Sequence, residues 1–429
     1  MGARCMAAVI AATLLMACGS REPNDVNRPR VEPAQTLSFD GHTSATPWVA
    51  ADGNLVVVAW GVTNDVGTSV ALALSRDGGR TFGAPQLVPG SEGARLGGEF
   101  PPRVDTRHVE GRDEIAVTWT AGDLSRILTA RSIDGGRTFT RAVELQRADA
   151  QGRRGWPALA LDPSGASHIV WLDHRGLAGD GSGHTHDSAT PNTDGAARAL
   201  KSSLYYASVD GGAVPEQEIA PAVCYCCKTA VAATVDGAVY AAWRHVYPGN
   251  LRDIAFAVLR GAGNASPSVN AASPVRVSED GWQIDGCPDD GPAMAVDAAG
   301  RAYVVWPTVV DGPEPRGALF LTWTDDGRTF SPRIEVPTLG SVRPSHPQLA
   351  IDAAGRIVVA WDEHLDGRRV AAAREVRMSA DDGVGFGEVL DLAPGDAGYY
   401  PVVAPVPDGF IVVWSDASAS AIGARRFTP

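Results

Sequence analysis

The sequence predicts an all-β protein built from seven units of four antiparallel strands each. Three observations support this fold class. A β-rich strand that ends in tryptophan recurs seven times, and a tight Asp-Gly turn recurs in several of the same units. The 429 residues include 48 glycines and 30 prolines, while stretches with helical periodicity are scarce. This composition is typical of many short strands joined by turns.

The tight turn is clearest in the stretch Ser75-Arg-Asp-Gly-Gly-Arg-Thr-Phe82. Asp77 can hydrogen-bond its own backbone, and Gly78 and Gly79 can adopt the positive φ angles that side chains resist. Phe82 supplies an apolar plug. Close copies lie at 132–139 and 324–330, and partial copies lie at 208–212 and 379–383. A turn that returns once per supersecondary unit indicates a repeat architecture.

These turns resemble the Asp-box (BNR) repeat, S-x-D-x-G-x-T-F/W, of the sialidase-like β-propellers. In that family the box is a structural turn between the third and fourth strands of a blade. The resemblance therefore implies a β-propeller, but it implies little about activity because the box carries no chemistry. One copy departs from the pattern: Trp323 occupies the serine position, and the nearest hydroxyl is that of Thr324.

A second repeat gives the number of blades. It consists of proline, a short apolar strand, Asp-x-x-Gly, a β-branched strand and tryptophan, with small variations. Its copies end at Trp60, Trp119, Trp171, Trp243, Trp306, Trp361 and Trp414. The fixed register of these tryptophans favours packing between blades over a rim that stacks on sugars. Sialidases themselves have six blades, so a six-bladed propeller is the alternative.

The last unit is too short to contain four strands. After Trp414 only the segment 421–427 can form a further strand. Residues 35–39 can supply the missing strand from the other end of the chain, which would close the ring and remove its open sheet edges. We therefore assign residues 35–429 to the propeller domain.

Residues 1–17 are predicted to be a signal peptide, with a basic start at Arg4 and an apolar core over 7–16 that is too short to span a membrane permanently. The sequence Leu15-Met-Ala-Cys18 resembles the bacterial lipobox, which implies that Cys18 becomes a lipidated first residue. An ordinary signal peptide with a chance cysteine is the alternative. Residues 18–34 are predicted to form a flexible tether.

These features predict an exported monomer of the bacterial cell envelope, anchored to the membrane through the lipid on Cys18, on the periplasmic side or the cell surface. The formal net charge is −13, with acidic and basic residues interspersed. Such a charge argues against a nucleic-acid partner, which would require a basic face.

Blade topology separates two faces. The first-to-second and third-to-fourth turns of each blade share one face, here called the turn face, and the Asp-Gly turns all belong to it. The second-to-third loops and the connections between blades share the opposite face, here called the loop face. Long polar loops on a rigid scaffold are a usual place for function, so we expect the site on the loop face.

Four cysteines are predicted to meet on this face, because they precede the inner strands of two adjacent units: Cys224, Cys226, Cys227 and Cys287. Disulfides are one interpretation, favoured by an oxidising compartment. A copper or zinc site is the other, since closely spaced thiolates suit copper(I) or zinc. Histidines from nearby loops could then complete the shell, namely His184, His186 and His245.

We expect a binding protein rather than an enzyme, with a glycan, peptide, small-molecule or metal ligand on the loop face. Its candidate ligand-binding residues are Trp282, Tyr225, Arg244, Asp285 and His364. The alternative is a sialidase-like glycoside hydrolase. Sialidases hold a carboxylate with three arginines and use a tyrosine nucleophile and an aspartic acid. The weak matches here are Arg103, Tyr400 and Asp173. A scaffold that binds nothing is the second alternative.

Overall fold

The computed structural model describes residues 29–98, 100–177, 195–210, 216–260, 274–286, 288–379, 381 and 383–429. Seven antiparallel sheets of four principal strands form the blades of a β-propeller. The inner strand of each blade contacts the inner strands of both neighbouring blades, so that the ring is closed. The prediction of seven blades is confirmed, and the six-bladed alternative is wrong.

Two short strands come first, β1 (Arg30–Val31) and β2 (Gln35–Leu37). Blade 1 consists of β3 (Thr43–Asp52), β4 (Leu55–Thr63), β5 (Thr68–Ser75) and β6 (Gln86–Leu87). Blade 2 consists of β7 (Ala94–Arg95), β8 (Arg103–Val109), β9 (Arg112–Ala121), β10 (Ile127–Ser132) and β11 (Val143–Glu144), where β7 and β8 both pair with β9. Blade 3 consists of β12 (Arg154–Leu161), β13 (Ser167–Asp173), β14 (Ser203–Val209) and β15 (Gln217–Pro221), with a 3-10 turn at Arg175–Leu177 and α1 (Gly195–Leu200) between β13 and β14.

Blade 4 consists of β16 (Ala230–Ala233), β17 (Val239–Arg244), β18 (Ile254–Arg260) and β19 (Val275–Arg276). Blade 5 consists of β20 (Ala293–Val296), β21 (Ala302–Val310), β22 (Arg316–Thr324) and β23 (Ile334–Val336). Blade 6 consists of β24 (Ser345–Ile351), β25 (Ile357–Leu365), β26 (Arg368–Met378) and β27 (Val384–Asp391). Blade 7 contains β28 (Gly398–Val406), β29 (Gly409–Asp416) and β30 (Ala421–Thr428). In the described part of the chain, no helix is both long and apolar enough to cross a membrane.

The N-terminal strands complete blade 7, as the sequence predicted. Strand β2 pairs antiparallel with β30, with Leu37 opposite Ile422. Strand β1, within the stretch predicted to be a tether, extends this pairing and places Val31 opposite Phe427. Without them β30 would present an unpaired edge, which is a site for pairing with other chains.

The repeated turns connect third and fourth strands and are held by their own side chains. The Ser75 hydroxyl donates to Asp77 Oδ1 at 2.7 Å and accepts from the backbone N–H of Gly79 at 2.8 Å. The Thr81 hydroxyl donates to Asp77 Oδ2 at 2.6 Å. Gly79 has φ +83°, and a Cβ there would lie 2.7 Å from Ile411 of blade 7, so this position requires glycine.

The fifth-blade turn makes the same contacts despite its altered sequence. Thr324 takes the place of the serine: its hydroxyl donates to Asp326 at 3.1 Å and accepts from the N–H of Gly327 at 2.9 Å. Trp323 is thereby left to pack in the blade, where it is 7% exposed.

The recurrent tryptophans pack between blades and do not form a rim. Six are fully buried and Trp414 is 3% exposed. Several indole N–H groups have partners, as in Trp60 with Ser44 Oγ at 3.1 Å and Trp361 with Glu363 at 2.7 Å. Buried aromatic rings of this size contribute much of the apolar burial.

Candidate functional site

The inner strands of four blades share a bulge at their loop-face ends. In blades 1, 3, 6 and 7 the pairing register shifts next to a proline. The residues that precede these prolines are Thr46, Trp156, His346 and Tyr400, with φ of 56°, 53°, 54° and 52°. We call them the bulge residues. Because a non-glycine residue at positive φ costs on the order of 1 kcal/mol, such strain concentrates at functional sites.

The bulges place these residues at the loop-face end of the central channel, here called the mouth. Inner strands from blades 1 to 6 contribute to the channel wall below it, including Trp48, Arg103, Thr229 and Gln348. The sequence contained a signal for the bulges, since an X-Pro pair opens most of the tryptophan repeats. Sequence analysis used the proline as a repeat marker and missed the residue before it.

A buried carboxylate holds two bulge residues together. Asp362, at the loop-face end of β25, is fully buried. It lies 2.8 Å from His346 Nδ1, and it accepts hydrogen bonds from Arg369 Nε at 2.9 Å and from the Tyr400 backbone N–H at 2.6 Å. Burial raises the pKa of Asp362, but the pairing with His346 and Arg369 outweighs burial and lowers it overall. The carboxylate therefore stays ionised and fixes the imidazole.

His346 and Tyr400 lie side by side, with ring centroids 4.3 Å apart. The Tyr400 ring rests against Gly98, where any side chain would overlap it. Gly98 belongs to the connection between blades 1 and 2, so this connection reaches across the mouth to blade 7. Such a contact requires the glycine because only a bare backbone fits.

The same connection forms one wall of a pocket at the mouth. The pocket is lined by Arg95, Phe100, Leu124, Arg153, Arg154, Trp156, His174, Tyr225 and Cys226. We call it the arginine pocket. Phe100 meets Trp156 edge to face, with ring centroids 5.2 Å apart. Arg153 Nη1 and Trp156 Nε1 are buried and have no hydrogen-bond partner within the part of the chain that the structure describes. These are donors without acceptors in a concave site, which is what a ligand-binding pocket provides.

The three candidate catalytic residues occupy different environments. Asp173 is fully buried, where Arg154 Nε donates at 3.0 Å and Arg175 Nε at 2.9 Å. Burial raises the pKa of Asp173, but these arginines outweigh it and lower the pKa, so Asp173 is suited to anchoring and not to donating a proton. Arg103 lies on the channel wall, 3.6 Å from the Trp48 ring centroid, and donates to the Pro157 carbonyl. Tyr400 lies at the mouth.

The predicted ligand-binding residues also separate. Arg244 is 1% exposed and donates to three backbone carbonyls, and burial lowers its pKa to about 10. Trp282 stacks on this guanidinium at 4.9 Å. Asp285 is exposed and accepts from the Ala196 N–H, and His364 is exposed on β25. Tyr225 alone among them lines the arginine pocket.

The cysteines adjoin this pocket. Cys224 and Cys227 form a disulfide, and Cys226, which lines the pocket, is disulfide-bonded as well. The three sulfurs are buried and lie within 4.8 Å of one another, and they make the one group with metal-ligand geometry among the described residues. His245 is not part of it, and burial lowers the pKa of this histidine to about 4. Cys18, Cys287, His184 and His186 lie outside the described residues.

Several solved structures align with the fold of this chain. A protein of unknown function from Dyadobacter fermentans aligns with a TM-score of 0.50 and 11% identity, over 93% of this chain and 99% of its own. The polysaccharide lyase Uly1 aligns with a TM-score of 0.50 and 8% identity, over 90% of each chain. A Hadza microbial sialidase aligns with a TM-score of 0.45 and 16% identity, over 87% of this chain and 76% of its own. At such identities the likeness to the first two structures shows the fold alone. No family model and no curated protein matches the chain.

Proposed function

We propose that this protein is an Asp-box propeller lipoprotein of the cell envelope that binds a glycan at the mouth. The observation that carries the proposal is the ring of strained bulge residues, which aligns aromatic and polar side chains at one end of the channel. Strain of this kind persists where the surrounding structure enforces it, and function is the usual reason.

The chemistry of the mouth suits a sugar better than the other ligands considered. The half-buried rings of His346 and Tyr400 offer apolar surface at the mouth, and the buried rings of Trp156, Phe100 and Tyr225 line the adjoining pocket. Arg153 and Trp156 offer N–H donors there. A glycan presents apolar ring faces, which can pack on aromatic side chains, together with hydroxyl oxygens, which can accept hydrogen bonds from these N–H groups. A polysaccharide lyase is among the similar propellers, which agrees with a glycan ligand although that likeness extends to the fold only.

A peptide or a metal ligand fits less well. A peptide that binds by strand addition needs a free sheet edge, and on the outer side of blade 7 strand β2 covers the edge of β30. A thiolate site needs reduced cysteines, whereas Cys224 and Cys227 are bridged. A glycan therefore remains the ligand that the geometry favours.

Binding would be tested with oxidised protein lacking residues 1–18, titrated calorimetrically with a panel of neutral and acidic polysaccharides. We expect Trp156→Ala and Tyr400→Ala to weaken binding at least about tenfold, because each removes a ring at the mouth. His364→Ala is the matched control on the same face. No binding across the panel, or equal binding by the Trp156 and Tyr400 variants, would refute the proposal.

The lipid anchor is tested separately. In the full-length protein expressed in a bacterium, Cys18→Ser should move the chain from the membrane fraction to the soluble envelope fraction, because a diacyl anchor holds far more strongly than a tether. Unchanged membrane association would refute the anchor without affecting the mouth.

A second function, glycan cleavage, is favoured by the pairing of Asp362 with His346. A carboxylate on Nδ1 fixes the tautomer of an imidazole and assigns proton transfer to Nε2, and the Tyr400 ring lies next to it. Release of reducing ends from the bound polysaccharide, lost in His346→Gln and in Tyr400→Phe while binding is retained, would support cleavage. Turnover of a fluorogenic sialoside, abolished by Arg103→Ala and Tyr400→Ala, would favour the sialidase-like alternative instead.

A further inference from the structure

We infer that the protein lies on the membrane with its turn face toward the lipid surface, so that the mouth points away into the aqueous space. This inference rests on the lipid anchor of the proposed function, since it names the surface that the anchor brings to the bilayer. The observation that carries it is the place where the N-terminal strands join the fold. That place is the turn-face end of blade 7, at its outer edge.

Strand pairing fixes this entry point. The loop 417–420 joins β29 to β30 on the loop face, so β30 begins there and ends on the turn face at Thr428. Strand β1 pairs with the turn-face end of β30 and places Arg30 opposite Thr428. Strand β2 pairs with the other end, where Leu37 lies opposite Ile422. The chain therefore enters at the turn face and runs toward the loop face.

Side-chain contacts hold the entry point in place. The guanidinium of Arg426, a residue that is 4% exposed, donates to Glu32 Oε1 at 2.7 Å. The Glu32 N–H donates to the Arg426 carbonyl at 2.9 Å. Gln35 Nε2 donates at 2.8 Å to the carbonyl of Gly79, in the repeated turn of blade 1. The N-terminal segment is thus bound to two blades, and moving its start to the loop face would break these contacts.

The chain that precedes this point is too short to reverse the orientation. The 11 steps from Cys18 to Pro29 span about 40 Å at full extension, whereas a relaxed chain of that length averages about 18 Å. The 8 residues of β29 cross the blade over about 26 Å. A lipid on Cys18 would reach past the loop face only if the tether were stretched along the whole blade, which conformational entropy opposes.

The turn face also has the flatter shape. Two-residue turns join the first and second strands in blades 1, 2 and 7, at 53–54, 110–111 and 407–408. On the loop face, the connection 174–202 between β13 and β14 is far longer. A planar bilayer can approach a face of short turns closely, while long loops would hold it at a distance. The mouth, on the opposite face, then stays open to glycans from the aqueous side.

The test measures how far each face lies from the lipid surface. Full-length lipidated protein is reconstituted in liposomes whose headgroups carry an energy-transfer acceptor, and a donor dye is attached to one introduced cysteine at a time. Ile133→Cys and Val235→Cys label exposed positions in turn-face turns of blades 2 and 4. Val66→Cys and Val342→Cys label exposed positions of the loop face, in blade 1 and between blades 5 and 6. The parent protein, treated with the same dye, gives the background from native cysteines.

We expect the two turn-face labels to transfer at least about twice as much energy as the two loop-face labels, because the faces are about 26 Å apart. Equal transfer from all four labels, or more from the loop face, would overturn the inference and leave the anchor and glycan binding intact. A ranking by blade, with Val66 ahead of Val235, would mean that the propeller stands on its rim and would overturn it as well. Failure of the parent protein to associate with liposomes would refute the anchor itself.

A longer tether distinguishes its effect from adhesion of the turn face. About 40 Gly/Ser residues inserted after Asn27 raise the average reach of the tether to about 40 Å, which exceeds the height of the blade. Membrane association should persist, while the difference in energy transfer between the faces should fall to less than about half. An unchanged difference would mean that the face itself adheres to lipid, and would overturn the tether as the cause of the orientation.

Discussion

The two faces of the propeller use carboxylates in opposite ways. On the turn face, Asp77 and Asp134 are hydrogen-bonded within their own turns. The hydrogen bond from the Thr138 hydroxyl is the largest of the contacts that lower the pKa of Asp134 to about 2. On the loop face, Asp362 is fully buried and ties residues of blades 6 and 7 that are distant in sequence. The turn-face carboxylates thus stabilise short segments, whereas Asp362 on the loop face links two blades at the mouth.

This difference shows that the repeated turns and the candidate site lie on opposite faces of the propeller. The turn-face contacts recur because each is complete within about eight residues. Loop-face contacts such as that of Asp362 with the Tyr400 N–H join different blades, so they differ from blade to blade. Substitutions on the turn face should therefore cost local stability only, whereas those on the loop face should also change the geometry of the mouth.

The largest effect should come from Asp362→Ala. Removing this carboxylate leaves Arg369 partly buried without its partner and frees the His346 ring and the Tyr400 backbone. We expect the free energy of unfolding, measured in urea, to fall by about 3 to 5 kcal/mol. His364→Ala, an exposed neighbour on the same strand, is the control. A loss below about 1 kcal/mol would mean that loop-face carboxylates are no more structural than turn-face ones.

A smaller loss should follow from opening the disulfide. The double variant Cys224→Ser/Cys227→Ser removes a bridge that closes a loop with a sequence separation of 3, and short loops contribute about 2 kcal/mol. Alkylation with mass spectrometry and elemental analysis on one unmutated sample should find oxidised cysteines and no metal. Reduced cysteines with about one equivalent of copper or zinc would contradict this result and favour the metal site.

The third effect depends on pH and concerns Asp105, on the inner strand of blade 2. This carboxylate accepts from the Leu161 N–H of blade 3 at 2.7 Å, and burial raises its pKa to about 6 from an ordinary value of 3.8. Between these values the folded state retains a proton that the unfolded state has lost, so stability falls as pH rises from about 4 to about 6. We expect a fall of about 1 to 2 kcal/mol, which is less than the full pKa shift implies, because the residue is half-buried and not fully buried. Asp105→Asn should remove that slope from the unfolding profile; an unchanged slope would assign it to other groups.

The smallest effect should come from the turn face. Ser75→Ala removes the hydroxyl that bridges Asp77 and the Gly79 N–H, and we expect a loss of about 1 kcal/mol. Ser132→Ala, in the equivalent turn of blade 2, should match it because the contacts are the same. Glycan affinity should be unchanged in both. A change in affinity would show that the two faces are coupled, and it would contradict the expectation that turn-face substitutions cost local stability only.

The residues of the candidate site were only partly predictable. Tyr400 and Tyr225 were placed on the correct face because the strand order of a blade fixes which connections share a face. Arg244 and Asp173 were on that face too, but they are buried and occupied by structural partners. Sequence does not show which polar groups are consumed by packing, since burial depends on neighbours from other blades.

The sequence by itself determined the seven repeated units, their turns and the strand that closes the ring. These features depend on local chemistry: a β-branched strand that ends in tryptophan, glycine at positive φ, and a serine and an aspartate within one turn. Only the tertiary structure decided that Arg95, Arg153 and Trp156 share a pocket, and that His346 and Tyr400 share one carboxylate. Arg95 comes from blade 2 and the other two pocket residues from blade 3, while His346 and Tyr400 come from blades 6 and 7. Packing of neighbouring blades brings them together through contacts that no local pattern records.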